Sequence, residues 1–163
     1  MITYHQTFDI YHTIYRIIRI LQMNDFAEME RDRLRIFDFL YVFPHEIQNV
    51  KVPVGARNIK NKFRETKYNK LIDRKRVFFQ IGKYFENSIQ SLFSYGILDV
   101  NKYKSNNILI TNLDLARKIQ AINNLSLNDE VGEILKEYFL KMNLTELKER
   151  TGLIEYRYDV FKA

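Results

Sequence analysis

The apolar positions of the chain fall into helical stripes. Ile10, Ile14, Ile17, Ile18 and Leu21 repeat at spacings of 4, 3, 1 and 3, which predicts an amphipathic helix over 8–24. His12, Arg16 and Arg19 are expected on its opposite side, with Asn24-Asp25 marking the exit. A second helix is predicted from Ala27 to Phe43, opened by Glu28, Glu30 and Asp32, acids that suit the positive end of the helix dipole. Its second half, IFDFLYVF, is apolar nearly all round and is expected to be buried on most faces. Pro44 ends it and opens a short turn of helix over His45 to Val50. The strongest stripe, Val77, Phe78, Ile81, Phe85, Ile89, Leu92 and Phe93, predicts a third helix from Asp73 to Tyr95, closed by Gly96.

Two short runs of β-formers come next, Ile97 to Val100 and Ile108 to Thr111, joined by a polar turn over Asn101 to Asn107. A helix, a hairpin and a further helix make the order of a winged-helix element, although any α+β hairpin behind a helix writes the same pattern. Thr111 with Asp114, and Ser126 with Asp129, read as capping boxes that open two more helices, the second reaching Met142. Asn143 with Glu146 reads as another N-cap, and that short helix stops at Gly152. In the tail, Ile154, Tyr156, Tyr158 and Val160 alternate with Glu155, Arg157 and Asp159, the pattern of a half-buried strand. Such a strand can close the chain's own sheet beside Ile2 and Tyr4, or pair with a partner's edge. The expected fold class is α+β, mostly helical, in a single domain over 1–163. It divides into an N-terminal helical hairpin over 1–50, a winged-helix-like element over 74–125, and C-terminal helices with a strand over 126–163.

Charge sharpens this picture in one place. The chain has 163 residues with a formal charge of +6. Residues 1–50 hold 5 basic and 7 acidic side chains, and 77–163 hold 11 of each. The stretch 51–76 holds 10 basic residues against Glu65 and Asp73, so the whole excess comes from it. Arg57, Lys60, Lys62, Arg64, Lys67, Lys70, Arg74, Lys75 and Arg76 are interleaved there with Phe63 and Tyr68. Such a segment neutralises phosphates in a salt-dependent way, docks on an acidic protein surface, or is a solvated surface. Lys102 and Lys104, at the expected hairpin tip, are candidates for a second contact. Eleven tyrosines and twelve phenylalanines exceed what a simple core needs and tilt the reading toward an interaction protein.

Catalytic patterns are missing. There is no cysteine, which excludes disulfides, thiolate metal sites and a cysteine nucleophile. No GxSxG elbow, P-loop or GxGxxG occurs, and His5, His12 and His45 have no metal-ligand spacing. Neither a catalytic nor a metal site is expected, nor a cofactor. No stretch approaches the roughly 20 apolar residues of a membrane span. The N-terminus lacks a basic region ahead of an apolar one, so a cytoplasmic location without membrane contact is expected. Asp38 stands out as the one charged residue inside the apolar run Ile36 to Phe43. A carboxylate there must be paired, and Arg35, Arg16 and Arg19 are the candidate partners.

The N-terminal third carries a resemblance. The stretches YHQTFDIYHTIYRIIRIL and ERDRLRIFDFLYVFP resemble the middle components of ABC three-component systems, the group that includes Lamassu-type antiviral defence. The residues that carry it are Phe8, Asp9, Tyr11, His12, Tyr15 and Arg16, then Arg33, Leu34, Arg35, Ile36, Asp38, Phe39, Phe43 and Pro44, with Leu40 where that pattern has an aromatic. The resemblance implies a small non-enzymatic adaptor between a DNA-sensing, SMC-like ABC ATPase and an effector subunit such as a nuclease, restraining the effector. DNA is a possible partner within that complex. The alternative is a stand-alone winged-helix DNA-binding regulator.

Overall fold

Asp9 starts the first helix. Its carboxylate accepts a hydrogen bond from the His12 amide at 3.0 Å, satisfying one of the donors that a helix start leaves over. The computed structural model describes residues 6–122 and 129–154, in which α1 spans Ile10–Met23. Ile14, Ile17, Ile18 and Leu21 are buried as the stripe predicts, but Thr13, Arg16 and Ile20 are buried too. Arg16 therefore does not share a solvent side with His12 and Arg19; the buried arc is wider than the stripe predicts, and Tyr11, His12, Tyr15 and Arg19 remain on the open side.

Left-handed conformations at Asp25 and Phe26 turn the chain back. The next element is not helix but a two-residue strand, β1 (Met29–Glu30), paired antiparallel with β2 (Asn107–Ile108). Met29 lies opposite Ile108, and Glu30 opposite Asn107. This pairing delays α2 to Arg31–Val42 and leaves Glu28 and Glu30 ahead of the helix, instead of in its first turn. Glu28 reaches Lys102 at 2.7 Å, Glu30 reaches Arg33 at 2.7 Å and Asp32 reaches Lys148 at 2.6 Å. The second half of α2 is buried as expected, from Ile36 to Tyr41. Pro44 begins a 3-10 helix, Pro44–Asn49, and a second one spans Val54–Lys62.

The helix α3 spans Arg74–Ser94, capped by Asp73, whose carboxylate accepts from the Arg76 amide at 3.0 Å. Phe78, Ile81, Phe85, Ile89 and Leu92 are buried, with Phe78 edge-on to Phe39 of α2 at 5.4 Å. At its end Gly96 takes φ +68°, the conformation a glycine adopts without strain. Its N–H bonds to the Phe93 carbonyl and the Ile97 N–H to the Leu92 carbonyl, so two carbonyls left over by the helix are satisfied.

Beyond α3 the expected hairpin is present only in outline. Leu98 and Ile110 form a single antiparallel bridge, and the Asp99 N–H bonds to the Leu109 carbonyl. The connection is not a plain polar turn. Asp99 accepts from the Lys102 amide at 2.9 Å and caps a short helix, α4 (Val100–Lys104), which packs Tyr103 against Phe93 with ring centroids 4.7 Å apart. Asn106, at φ +62°, then turns the chain into β2. The order is therefore α1–β1–α2–α3, the bridge at Leu98, and a return that pairs with both Leu98 and β1.

The helix α5 spans Leu113–Ile122, and its cap is Asn112, which accepts from the Leu115 amide. Thr111, the expected cap, instead turns its hydroxyl to the Ile97 carbonyl. Ser126 lies outside the described residues. The helix α6 spans Asp129–Ile134 and continues as a π-turn over Leu135–Phe139, marked by the Leu140 N–H on the Leu135 carbonyl. As predicted, α7 (Leu144–Thr151) is capped by Asn143 and closed by left-handed Gly152. Of the tail strand expected over Leu153 to Phe161, residues 155–161 and the candidate partners Ile2 and Tyr4 lie outside the described residues; Leu153 is buried, and it and Ile154 form a bend rather than strand. The buried apolar side chains of α1, α2, α3, α5, α6 and α7 form one cluster.

Candidate functional site

The basic segment is an ordered strap on the core. Ala56 and Ile59 are its buried anchors. Gln48 and Lys60 exchange bonds to each other's carbonyls at 3.2 and 3.1 Å, fastening the second 3-10 helix to the first. Past Phe63, a turn is built by Thr66 and Asn69: the Thr66 N–H donates to the Asn69 side chain at 2.6 Å, and Asn69 donates in turn to the Arg64 carbonyl. Polar side chains thus shape the backbone of this turn locally.

The structure divides the eleven predicted cations into two groups. Four are engaged. Arg74 points inward, its Nε 2.7 Å from the buried Glu46 carboxylate and its Nη1 2.7 Å from the Thr151 carbonyl. Lys60 holds Gln48, Lys70 lies 3.8 Å from Glu65, and Lys102 is paired with Glu28, whose hydrogen bond raises the lysine pKa. The other seven, Arg57, Lys62, Arg64, Lys67, Lys75, Arg76 and Lys104, are exposed and make no ion pair among the described residues. Lys67 stacks over the exposed ring of Tyr68 at 4.9 Å. These seven do not form one compact patch. The segment leads into the first turn of α3, whereas α4 packs beside its last turn. Twenty-one helical residues separate the two by about 30 Å. Between them runs the outer face of α3, where Lys83 adds a cation that a segment-by-segment charge count misses.

The buried ionic contacts belong to the framework. Asp38 pairs with Arg16 at 2.7 Å, not with Arg35 or Arg19. Arg35 lies over the Phe78 ring at 4.4 Å, and burial lowers its pKa from the ordinary arginine value. Arg19 pairs with Asp129 on α6. Arg33, named above only among the residues that carry the resemblance, donates to the carbonyls of Phe139 and Met142 at 3.0 and 2.7 Å and so caps the π-turn. Among the described residues no group of three or more His, Asp or Glu side chains converges. None of their helices is long and apolar enough to cross a membrane.

A different exposed surface is apolar. Ile10, Tyr11 and Ile14 of α1, Tyr95 after α3, and Ile119 and Ile122 of α5 line a groove, with Tyr11 and Ile122 largely exposed. The strap thus presents exposed cations and the groove exposed apolar side chains. No curated protein and no solved structure matches the chain. The family model of the ABC-three component (ABC-3C) system Middle Component 5, MC5, matches residues 2–159. Since that match takes in nearly the whole sequence, the strap and the groove included, the chain belongs to the MC5 family of ABC-three component system middle components.

Proposed function

We propose that the chain is a non-enzymatic adaptor and regulatory subunit of a cytoplasmic antiviral defence complex of the Lamassu type. It joins an SMC-like ABC ATPase to an effector such as a nuclease, and restrains the effector until the ATPase engages foreign DNA. The observation that carries this reading is the family match over residues 2–159, since a middle component is one part of a multi-subunit ABC ATPase system. The separation of a cationic strap from an apolar groove supports it, because a bridging subunit needs two surfaces of different chemistry. Arg57, Lys62, Arg64 and Lys67 are the residues assigned to the polyanionic side of the contact.

Co-expression with the products of adjacent genes tests the reading. A tagged chain is expected to retain an ABC ATPase and an effector through size exclusion. Replacing Arg57, Lys62, Arg64 and Lys67 by Gln is expected to weaken either assembly or DNA retention by the complex. Unchanged assembly and unchanged retention would sink the role given to the strap. A chain that purifies alone as a symmetric dimer and shifts short duplexes would establish the second reading, a stand-alone winged-helix regulator. The element order favours that reading: β1 falls between α1 and α2, and the segment after the Leu98 bridge returns to pair with β1.

A further inference from the structure

We propose that the outer face of α3 reads duplex DNA in the major groove. The helix buries Phe78, Ile81, Phe85, Ile89 and Leu92 on one side. The opposite side presents Arg76, Phe79, Gln80, Lys83, Asn87 and Gln90, at spacings of 3, 1, 3, 4 and 3, all exposed. An ordinary solvated helix face mixes signs at those spacings. The outer side of α6 and its continuation does so, with Asp129, Glu130, Glu133, Lys136 and Glu137. The outer face of α3 has no acid at all. The one carboxylate of the whole helix, Glu86, is half-buried at the flank and held by Arg31.

Three amides and two cations in this setting fit base edges and phosphates better than they fit a protein's carboxylates. An Asn or Gln side chain offers a donor beside an acceptor, the complement of the adenine N6/N7 edge. Arg and Lys match guanine or phosphate, and an exposed ring such as Phe79, 63% accessible, suits a thymine methyl. A carboxylate surface would use the cations and leave the amide acceptors unmatched. The placement agrees. Three-helix variants of the helix-turn-helix lay their third helix in the major groove, and α3 follows α1 and α2 in the order α1–β1–α2–α3, with the two 3-10 helices lying between α2 and α3. Lys75 with the strap at one end, and Lys104 beyond the other, stand where backbone phosphates flank a groove-bound helix. The inference rests on the proposed contact role of the strap only for these phosphate contacts.

The test uses the full chain and a pool of random-sequence duplexes, with the retained DNA sequenced. The wild type is expected to enrich a short motif. Replacing Gln80, Asn87 and Gln90 together by Ala is expected to lower that enrichment about tenfold or more while bulk retention persists. Arg76→Ala with Lys83→Ala is expected to weaken all sequences alike and to reduce the slope of log affinity against log salt by about 2. Failure of the wild type to retain duplex at about 50 mM salt would overturn the inference. So would a motif that survives the amide substitutions. If those substitutions instead release a co-purifying subunit and leave duplex retention unchanged, the face belongs to a protein partner. A wild-type chain that enriches a motif but retains no ATPase would support this inference and count against the adaptor reading.

Discussion

The Arg16 Nε lies 2.7 Å from the Asp38 Oδ1, with both side chains almost wholly out of solvent. A second Arg16 nitrogen bonds the Thr13 hydroxyl at 3.0 Å, so the charged pair between α1 and α2 sits in a small polar cluster inside an otherwise apolar interface. Removing one partner leaves the other charge buried without compensation. Asp38→Ala is therefore expected to destabilise the chain by about 3–5 kcal/mol, and Asp38→Ala with Arg16→Met by clearly less. Urea unfolding of the two variants checks this; equal losses would show that Arg16 finds another partner.

Arg33 fastens α2 to the end of the π-turn through the carbonyls of Phe139 and Met142. Hydrogen bonds from a charged donor contribute about 1.5–3 kcal/mol each, and buried carbonyls left without a donor add a penalty. Arg33→Ala is expected to lower stability by about 3 kcal/mol and to speed amide exchange over 134–147 more than over α1. Uniform acceleration along the chain would mean that the contact stabilises the fold globally rather than docking this region.

Glu30 provides an acid-sensitive contact at the same place. Burial pushes its pKa up, but the Arg33 hydrogen bond and charge outweigh that, and the result lies below the ordinary glutamate value. A carboxylate depressed in the folded state adds stability above its unfolded pKa and loses it as pH falls through the folded one. Thermal melts between pH 3 and 7 are expected to show a smaller acid drop for Glu30→Gln than for the wild type. The effect is modest because the side chain is 40% exposed.

Where the sequence was readable, it was readable through periodicity. The stripe of α3 and the caps at Asn143 and Gly152 are local patterns, and they lie where spacing placed them. Elements shorter than a period were not readable. Two residues at Met29–Glu30 show no alternation, so a helix reading absorbed them; five residues at Val100–Lys104 look like a polar turn until Asp99 is seen as a cap. Capping by Asn112 instead of Thr111 turns on which side chain the Ile97 carbonyl claims, a tertiary fact. Pairing partners were equally hidden. Of the three arginines within sequence reach of Asp38, only packing decides that Arg16 is the one. The candidate site shows the same limit, because charge counting finds cations but not the acids, tens of residues away, that take some of them out of use.

Arg74 and Arg76 make that limit testable, being two residues apart and counted alike in the basic segment. Arg74 closes on Glu46, which is 1% exposed, and on the Thr151 carbonyl, tying the start of α3 to the end of α7. Arg76 projects from the outer face of α3 and makes no ion pair among the described residues. Arg74→Ala leaves a buried carboxylate without its partner and is expected to cost about 3–5 kcal/mol. Arg76→Ala is expected to change stability by less than about 0.5 kcal/mol, as exposed substitutions do. Duplex or partner binding measured at a temperature where both variants are folded should show the reverse order, with Arg76→Ala weaker and Arg74→Ala near the wild type. Similar melting losses for the two would refute the division of the segment into anchoring and contacting cations.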